Sequence, residues 1–474
     1  MSTTALHNKN TNENFRDSLA TVDKEGHRKW IYAWKPKGRF YTIRTWLSYV
    51  YFMIFFGLPF IKINGRPLFM FNIPKGKFIV FGKIFWPQDF FIFGLAMVTF
   101  IFFIILFTAA FGRLFCGWAC PQTNFMEMMF RKIEFMVLGN ANQQKALKSA
   151  PWTGSKIFKL SLKHVLFFLL SFIIANFFLA YIIGADDLKK IITEPVSGHI
   201  AGLSSILIFS GIFYGVYAFF REQACTVVCP YGRLQSVLLD KNSMIVAYDY
   251  KRGEPRGIKK KKQPEMAPFE PGDCIDCLQC VRVCPTGIDI RNGVQMECVG
   301  CTACIDACND VMDKVHKPRG LIRYASESSI ATGEHLHYTT RMKLYTGLCL
   351  AVLTVLSVLL FTRKDIDVTV MRTPGQLYQE RGTDSVSNLY NIKVMNKTDK
   401  DIPLTVKVVN IDGTVQVVGK PYIHVVKEGQ GSGSFFIMLP KKDIHNRKTE
   451  IELALYEGDK KILTETTSFL GPVQ

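Results

Sequence analysis

Eight of the thirteen cysteines are concentrated in one short segment and follow a regular ligand spacing. Residues 274–285 read CIDCLQCVRVCP and residues 298–309 read CVGCTACIDACN, so both runs follow Cys-x-x-Cys-x-x-Cys-x-x-x-Cys. Three thiols within seven residues cup one face of a cuboidal cluster, and the fourth ligand comes from the other run. The spacing therefore predicts two [4Fe–4S] clusters, one held by Cys274, Cys277, Cys280 and Cys308 and the other by Cys298, Cys301, Cys304 and Cys284.

Zinc is the competing metal for a cysteine-rich segment, but structural zinc sites favour two separated ligand pairs. The second run has Asn309 where the first has Pro285, a change that affects the local turn and removes no ligand. Two clusters held this close together form an electron relay. The segment therefore indicates a bacterial two-cluster ferredoxin-like domain.

Two further cysteine pairs share one frame, Cys-x-x-x-Cys followed by proline. Cys116 and Cys120 form the first pair, and Cys225 and Cys229 form the second. If the helix continues through each frame, both thiols of a pair lie on one face, and the proline ends or kinks the helix. Soft thiolates favour Cu(I), zinc or an iron–sulfur centre over hard ions. Reduced structural cysteines and redox-active disulfides are the alternatives, and iron–sulfur ligation is less favoured because the frame lacks three closely spaced cysteines.

Five apolar runs are long enough to cross a bilayer, which takes about 20 residues. We place them at 43–63, 89–111, 164–184, 201–220 and 343–362. No ionisable residue lies near the centre of any run, so ion translocation is not indicated. The first two runs lead to Cys116 and the next two lead to Cys225, which makes a weak internal repeat.

The Lys and Arg content of the loops predicts their orientation. These residues number 32 in segments 1–42, 112–162 and 221–341, against 6 in segments 64–88 and 185–200. The first set is therefore predicted to be cytoplasmic and the second periplasmic, in the inner membrane of a bacterium. Every cysteine outside the fifth run then lies in or beside a cytoplasmic segment, where disulfides are rare.

The formal net charge of +19 follows from this topology, because the basic residues flank the apolar runs. No motif that reads nucleic-acid grooves is present, so the lipid bilayer and not nucleic acid is the expected partner. After the fifth run the sequence changes to short strands with period-two alternation, separated by turn residues. This pattern predicts an exported all-β sandwich of immunoglobulin-like architecture.

The predicted fold is therefore a membrane α-helical bundle of five spans with a cytoplasmic ferredoxin-like insert and a C-terminal immunoglobulin-like sandwich. The predicted segments are a cytoplasmic N-terminal segment at 1–42, a four-helix membrane region that leads to both cysteine pairs at 43–220, the two-cluster domain at 221–341, the fifth helix at 342–362 and the periplasmic sandwich at 363–474.

These features together resemble the cytochrome c oxidase accessory protein family (CcoG/RdxA/FixG-like). WPQDF at 86–90 and CGWACPQT at 116–123 carry the likeness in detail, and it covers nearly the whole chain. The resemblance implies a Cu(II) reductase that supplies Cu(I) for assembly of a cbb-type haem–copper oxidase. It implies a copper site at Cys116, Cys120, Cys225 and Cys229. The expected partners are copper ions, copper chaperones or transporters, oxidase assembly factors and a cytoplasmic electron donor. The resemblance leaves open whether the protein forms a homodimer.

Two other interpretations stay open. Quinol dehydrogenase-type polyferredoxin membrane subunits share the spans, the cysteine frames and the clusters, and they pass electrons from quinol to a periplasmic reductase. The exported sandwich favours the accessory-protein interpretation, because those subunits usually end near their clusters. A non-redox assembly scaffold that uses its clusters only for folding is the third interpretation.

The charge asymmetry of the loops generates a test of the topology. A reporter fused after residue 474 is expected to be active only in the periplasm, and one inserted near residue 260 only in the cytoplasm, because basic loops are retained inside. Alkaline phosphatase and a cytoplasm-dependent fluorescent protein measure the two locations. If both positions report the same side, the number of spans is wrong.

Overall fold

The computed structural model describes residues 20–472, apart from 24, 64, 74–75, 87–88, 196–199, 258–270, 334–337, 364, 376, 383, 399, 420 and 445. Residues 1–19 of the predicted N-terminal segment therefore lie outside the described residues. The chain divides into two compact units. They are Met1–Gly82 with Phe90–Val355, and Lys83–Asp89 with Leu356–Gln474.

Within the described part of the chain, five helices are long and apolar enough to cross a membrane, as predicted. They are Arg39–Phe60, Phe90–Phe111, Gly154–Ile183, Ile200–Phe220 and Thr340–Phe361. The third begins at Gly154 and not at residue 164, because its first turns are basic but still form helix readily. The Thr153 hydroxyl accepts the backbone N–H of Lys156 at 3.3 Å and caps this start.

Short helices connect the spans and build the cysteine-rich insert. In chain order the α-helices are α1 Arg39–Gly57, α2 Phe90–Phe111, α3 Leu114–Trp118, α4 Pro121–Phe125, α5 Arg131–Leu138, α6 Ala141–Ser149, α7 Gly154–Ile183, α8 Ala185–Thr193, α9 Ile200–Gly215, α10 Pro230–Leu238, α11 Tyr250–Gly253, α12 Gln279–Arg282, α13 Ala303–Lys314, α14 Glu327–Thr332 and α15 Thr340–Phe361. Three π-helical turns interrupt this order at Met126–Phe130, Val216–Phe220 and Ala224–Val228, and 3₁₀ turns lie at Leu58–Phe60, Ile290–Asn292 and Lys441–Asp443.

The strands follow the same chain order. They are β1 Lys62–Ile63, β2 Arg66–Pro67, β3 Phe69–Asn72, β4 Lys77–Val80, β5 Lys83–Phe85, β6 Ile245–Tyr248, β7 Ile322–Ala325, β8 Ile366–Arg372, β9 Gln379–Arg381, β10 Ser385–Asn396, β11 Ile402–Val408, β12 Thr414–Val417, β13 Ile423–Val425, β14 Gln430–Pro440, β15 Lys448–Glu457 and β16 Lys460–Leu470. Strands β3 and β4 pair antiparallel and form a short hairpin in the loop after α1.

An aromatic core fixes the segments that follow the first cysteine pair. Phe125 and Phe130 are buried, and Phe130 stacks on Tyr217 with ring centroids 4.3 Å apart. Phe130 also meets Phe167 of α7 edge to face at 5.0 Å. Because Tyr217 lies in the π-turn that extends α9, this core holds the chain after the first frame against the helix that leads to the second frame.

A buried group of charges lies beside this core. Glu134 of α5 accepts from Arg221 at 2.8 Å and lies 3.3 Å from the Lys163 ammonium of α7. Burial alone would raise the pKa of Glu134, but the neighbouring cations, Arg221 foremost, hold it below its ordinary value. The indole of Trp30 lies 4.6 Å from the Arg221 guanidinium and 4.5 Å from that of Arg28, which fastens the N-terminal segment here.

The cysteine-rich insert is closed by a two-stranded sheet. Strands β6 and β7 pair antiparallel, so chain segments on either side of the cysteine runs are joined. Helices α12 and α13 begin within the two runs, and α13 carries Cys304 and Cys308. Ile290, Ile305, Met312 and Ile322 form the buried apolar core. The insert therefore has its own apolar core, and Phe40 of α1 packs against it.

The second unit is an all-β sandwich, which confirms the predicted immunoglobulin-like tail. One sheet has the order β12-β14-β10-β8, with β9 also paired to β10, and the other has the order β13-β11-β15-β16. Tyr390 is fully buried, and its hydroxyl donates to the carbonyl of Ser468 at 2.9 Å. Asp89 binds Lys397 at 2.8 Å and Arg363 at 2.6 Å, so segment 83–89 is held to this unit by charge.

The buried charges around Glu134 generate a prediction about stability. Glu134→Gln leaves Lys163 without its counter-charge and Arg221 with Glu222 alone, 3.7 Å away, so we expect the free energy of unfolding to fall by about 3–5 kcal/mol. Thermal unfolding of the full-length protein in detergent measures the loss. Asp310→Asn is the control, because Asp310 forms an exposed pair with Lys314 and its removal changes stability by less than about 0.5 kcal/mol. Equal effects of the two substitutions would contradict a structural role for the buried group.

Candidate functional site

The first predicted cysteine quartet surrounds one cavity. Cys274, Cys277, Cys280 and Cys308 all line it, together with Tyr248 and Leu321 among other residues. Cys308 arrives from α13, which carries the second run, so the fourth thiol comes from the other run as the spacing predicts.

The second predicted quartet surrounds a neighbouring cavity. Cys284, Cys298, Cys301 and Cys304 line it, and Cys280 of the first quartet contributes to the same wall. The two cavities therefore share a boundary. Four thiols surround each of the two adjoining cavities, and this donor set fits iron–sulfur ligation.

The backbone has the same conformation in both runs. Asp276 and Leu278, on either side of Cys277, have positive φ values of 54° and 59°. Gly300 and Thr302, on either side of Cys301, have φ values of 65° and 63°. Left-handed turns of this kind form concave nests of backbone N–H groups that favour an anion. A cluster with four thiolate ligands is such an anion, so the backbone conformation and the thiol ligands both indicate an iron–sulfur cluster.

The two Cys-x-x-x-Cys-Pro frames are also built alike, but not as continuous helices. Cys116 lies in α3 and Cys225 lies in a π-turn, while Cys120 and Cys229 are the N-cap residues of α4 and α10. The condition of one continuous helix through each frame is therefore not met, and the helical turn ends before the proline. Each proline occupies the first position of a new helix, where its missing N–H and fixed φ are favourable, and the chain turns just before it.

The four thiols of the two frames form one site, which we call the four-thiol site: Cys116, Cys120, Cys225 and Cys229. Burial and then the nearby Cys120 thiol raise the pKa of Cys116 to about 12, and Cys229 adds to this while Arg113 opposes it. Burial raises the pKa of Cys225 to about 12, with Cys120 and Cys116 adding to the shift. Thr123 of α4 is hydrogen-bonded to the Cys225 thiol, and Gln235 of α10 is hydrogen-bonded to the Cys116 thiol, so each frame contacts the helix that begins at the other frame.

A glutamine that sequence reasoning missed contacts this site. The Cys116 thiol donates to Oε1 of Gln235 at 3.3 Å, and Gln235 is fully buried. Its Nε2 has no hydrogen-bond partner among the described residues. Because a buried donor without a partner is costly, this N–H is available to a sulfur or anion at the site. Gln235 lies in α10 beyond the second frame, and nothing in its type or spacing marks it in the sequence.

The four-thiol site touches the second quartet through the backbone. A β-carbon at Gly117 would lie 2.5 Å from the carbonyl oxygen of Gly300, which is closer than such atoms approach. Gly117 follows Cys116, and Gly300 precedes Cys301. Trp118, the residue after Gly117, donates its indole N–H to the Tyr324 hydroxyl at 3.0 Å and stabilises the same contact. Only glycine at position 117 permits this approach.

Two arginines lie on either side of this contact. Arg44 donates to the carbonyls of Gly117 at 3.0 Å and Cys301 at 2.9 Å. Arg113 donates to the carbonyls of Cys298 at 3.1 Å and Gly232 at 3.3 Å. Arg113 therefore joins the first frame, the helix after the second frame, and the second quartet. These two arginines were also not predicted from the sequence, because their partners are main-chain atoms far away in the chain.

Three family models match the chain. Residues 220–327 match a 4Fe–4S dicluster domain, residues 93–138 match a 4Fe–4S binding domain, and residues 356–472 match the Ig-like fold at the C-terminus of FixG. The match at 93–138 includes Cys116 and Cys120, so the preference for a non-cluster role of these two thiols stays a prediction. The matches agree with the two cysteine-rich regions and with the sandwich.

The chain is also similar to curated proteins along most of its length. It is 33% identical to protein RdxA of Cereibacter sphaeroides, across 78% of this chain and 80% of RdxA. It is 32% identical to protein RdxB of the same organism, with the same coverage of both chains. It is 35% identical to nitrogen fixation protein FixG of Rhizobium meliloti, across 64% of this chain and 58% of FixG. The chain belongs to the FixG/RdxA-like family of 4Fe–4S oxidoreductase-like proteins, and it is a multi-pass membrane iron–sulfur electron-transfer protein.

Proposed function

We propose that this protein reduces Cu(II) to Cu(I) at the four-thiol site and supplies the Cu(I) for assembly of a cbb-type cytochrome c oxidase. The observation that carries the proposal is the backbone contact between Gly117 and Gly300. It joins a set of soft ligands to a domain that carries electrons, and copper reduction needs both.

The ligand assignment is part of the proposal. Cys274, Cys277, Cys280 and Cys308 hold one [4Fe–4S] cluster, and Cys284, Cys298, Cys301 and Cys304 hold the other. When bound, such clusters supply one-electron carriers. The chain supplies the thiolates, the inward backbone N–H groups around Cys277 and Cys301, and an apolar core that excludes water.

The four-thiol site is suited to copper because thiolates stabilise Cu(I) relative to Cu(II). One electron reduces one Cu(II), so the step needs no other co-reactant than the reduced insert. Burial raises the pKa of Cys116 and of Cys225 to about 12, so the metal-free thiols are protonated near neutral pH. A metal cation favours the thiolate form, and copper binding therefore releases protons.

The proposed orientation follows from the basic loops. The N-terminal segment and the cysteine-rich insert face the cytoplasm of a bacterium, and the sandwich faces the periplasm. The electron donor is then cytoplasmic, and copper chaperones or transporters deliver or remove copper at the membrane. The sandwich acts as a docking surface for oxidase assembly factors, since its described residues include no group of metal-ligating side chains.

The ligand assignment predicts the iron content. Anaerobically purified protein is expected to contain about eight iron and eight sulfide, which is two cubane clusters. Cys277→Ser and Cys301→Ser each remove one ligand from a different cavity, so each variant should lose about half of the iron and the spectrum of one cluster. Metal analysis with absorption and electron paramagnetic resonance spectra measures both. Zinc in place of iron would exclude electron transfer by this domain.

The copper site predicts a separable loss of activity. Replacing Cys116, Cys120, Cys225 and Cys229 together by serine should abolish Cu(II) reduction and leave the iron content nearly unchanged, because the cluster ligands are other residues. A Cu(I)-specific chelator assay with chemically reduced protein measures the activity. In cells, oxidase assembly should fail at low copper and partly recover when copper is added.

Cys349→Ser is the matched control, because Cys349 is a buried thiol in α15 outside both quartets and the four-thiol site. It should reduce Cu(II) at the parental rate. If the quadruple variant also keeps the parental rate, copper is reduced elsewhere. If the quadruple variant loses half or more of its iron, these thiols serve a cluster and not copper alone.

A further inference from the structure

The second quartet lies beside two buried positive charges that no carboxylate neutralises. Arg44 and Arg113 are 4% and 8% exposed, and the hydrogen bonds of both go to carbonyl oxygens. Within the described ranges neither arginine forms an ion pair. Two of the carbonyls belong to Cys298 and Cys301, which are members of the quartet. The positive charges are therefore attached to the ligand residues themselves.

The cations near the first quartet are neutralised instead. Arg291, which lines the first cavity, pairs with Asp276 at 2.5 Å and with Asp289 at 2.7 Å. Arg252, whose charge acts on Cys308, pairs with Asp273. The two quartets have the same thiol spacing and the same backbone turns. They differ in whether the nearby arginines form ion pairs with carboxylates.

Carboxylates near the second quartet oppose this positive charge. Glu127 acts on Cys301, and it is paired with Arg131 at 3.2 Å. Glu297, immediately before Cys298, and Asp306, two residues after Cys304, are buried and form no ion pair within the described part of the chain. Asp306 accepts the backbone N–H groups of Phe40 and Tyr41, whereas the two guanidinium groups donate to carbonyls of the ligand residues themselves.

Charges hydrogen-bonded to the ligand residues change the reduction potential of the cluster. A [4Fe–4S] cluster with four thiolates is negative and gains a further negative charge on reduction, so nearby cations favour the reduced state. Burial has the opposite effect, because it penalises the more highly charged state.

We propose that Arg44 and Arg113 raise the midpoint potential of the cluster held by the second quartet and thereby keep the transferable electron beside the four-thiol site. This inference rests on the ligand assignment in the proposed function. Both arginines are positioning residues, because they act through the ligand loop and contact neither copper nor the four thiols. The arginines near the first quartet are paired with aspartates, so they do not raise the midpoint potential of its cluster in this way.

A redox titration of the full-length, cluster-loaded protein tests the proposal. Electron paramagnetic resonance follows the two clusters separately, and Cys277→Ser and Cys301→Ser identify which signal belongs to which quartet. Arg44→Gln and Arg113→Gln should each shift the midpoint potential of the second cluster downward and leave the first unchanged. Glu297→Gln should shift the second cluster upward, because it removes a negative charge.

Two further variants separate charge from structural support. Arg44→Lys keeps the charge but loses the paired hydrogen bonds, so its second cluster should stay near the parental potential. Arg319→Gln removes an exposed guanidinium, paired with Asp313 on the surface of the insert, and should move neither cluster. These comparisons use variants with parental iron content.

The proposal is overturned if Arg44→Gln and Arg113→Gln keep the parental potential, or if Glu297→Gln shifts the second cluster in the same direction as they do. It is also overturned if Arg44→Lys shifts the potential as far as Arg44→Gln, because the arginine then acts only as a structural clamp. None of these results affects the proposed copper chemistry, which depends on the quadruple cysteine variant.

Discussion

The close approach of two main-chain segments is the constraint on which the first unit depends. Gly117 and Gly300 meet with no space for a side chain between them, and each lies next to a cysteine, Cys116 and Cys301. Electron transfer weakens steeply with distance, so a backbone contact between the two thiol-bearing loops is more effective than one made through side chains. Hydrogen bonds from Arg44, Arg113 and the indole of Trp118 stabilise this contact.

Charged and polar groups hold the contact where an apolar surface would be less specific. Arg44 and Arg113 donate to carbonyls in fixed directions, so the insert has one orientation on the membrane helices. The buried group around Glu134 fixes the N-terminal segment and the helix before the second frame in the same manner. Buried charges contribute little net stability compared with apolar packing, but they specify geometry, and an electron-transfer junction requires defined geometry.

Duplication explains the layout of the sites. Both cysteine runs of the insert have left-handed residues on either side of the second cysteine, and both membrane frames end one helix and begin another at a proline. Each duplicated half supplies ligands that are incomplete alone. The halves become functional only when they are paired in space, and small differences between them, such as the charges around each quartet, then distinguish two otherwise equivalent sites.

Local features of the sequence were sufficient to predict the 4Fe–4S dicluster domain, the number of membrane helices and the β-sandwich. Ligand spacing, apolar length and strand alternation are set by residues close together in the chain, so they can be read without the fold. Whether one helix runs through each cysteine frame was left conditional, and the structure shows that proline begins a new helix there. Gln235, Arg44 and Arg113 were not predicted at all. Their partners are backbone or thiol atoms up to 257 residues away, and only the tertiary structure brings such atoms together and decides which charges are neutralised.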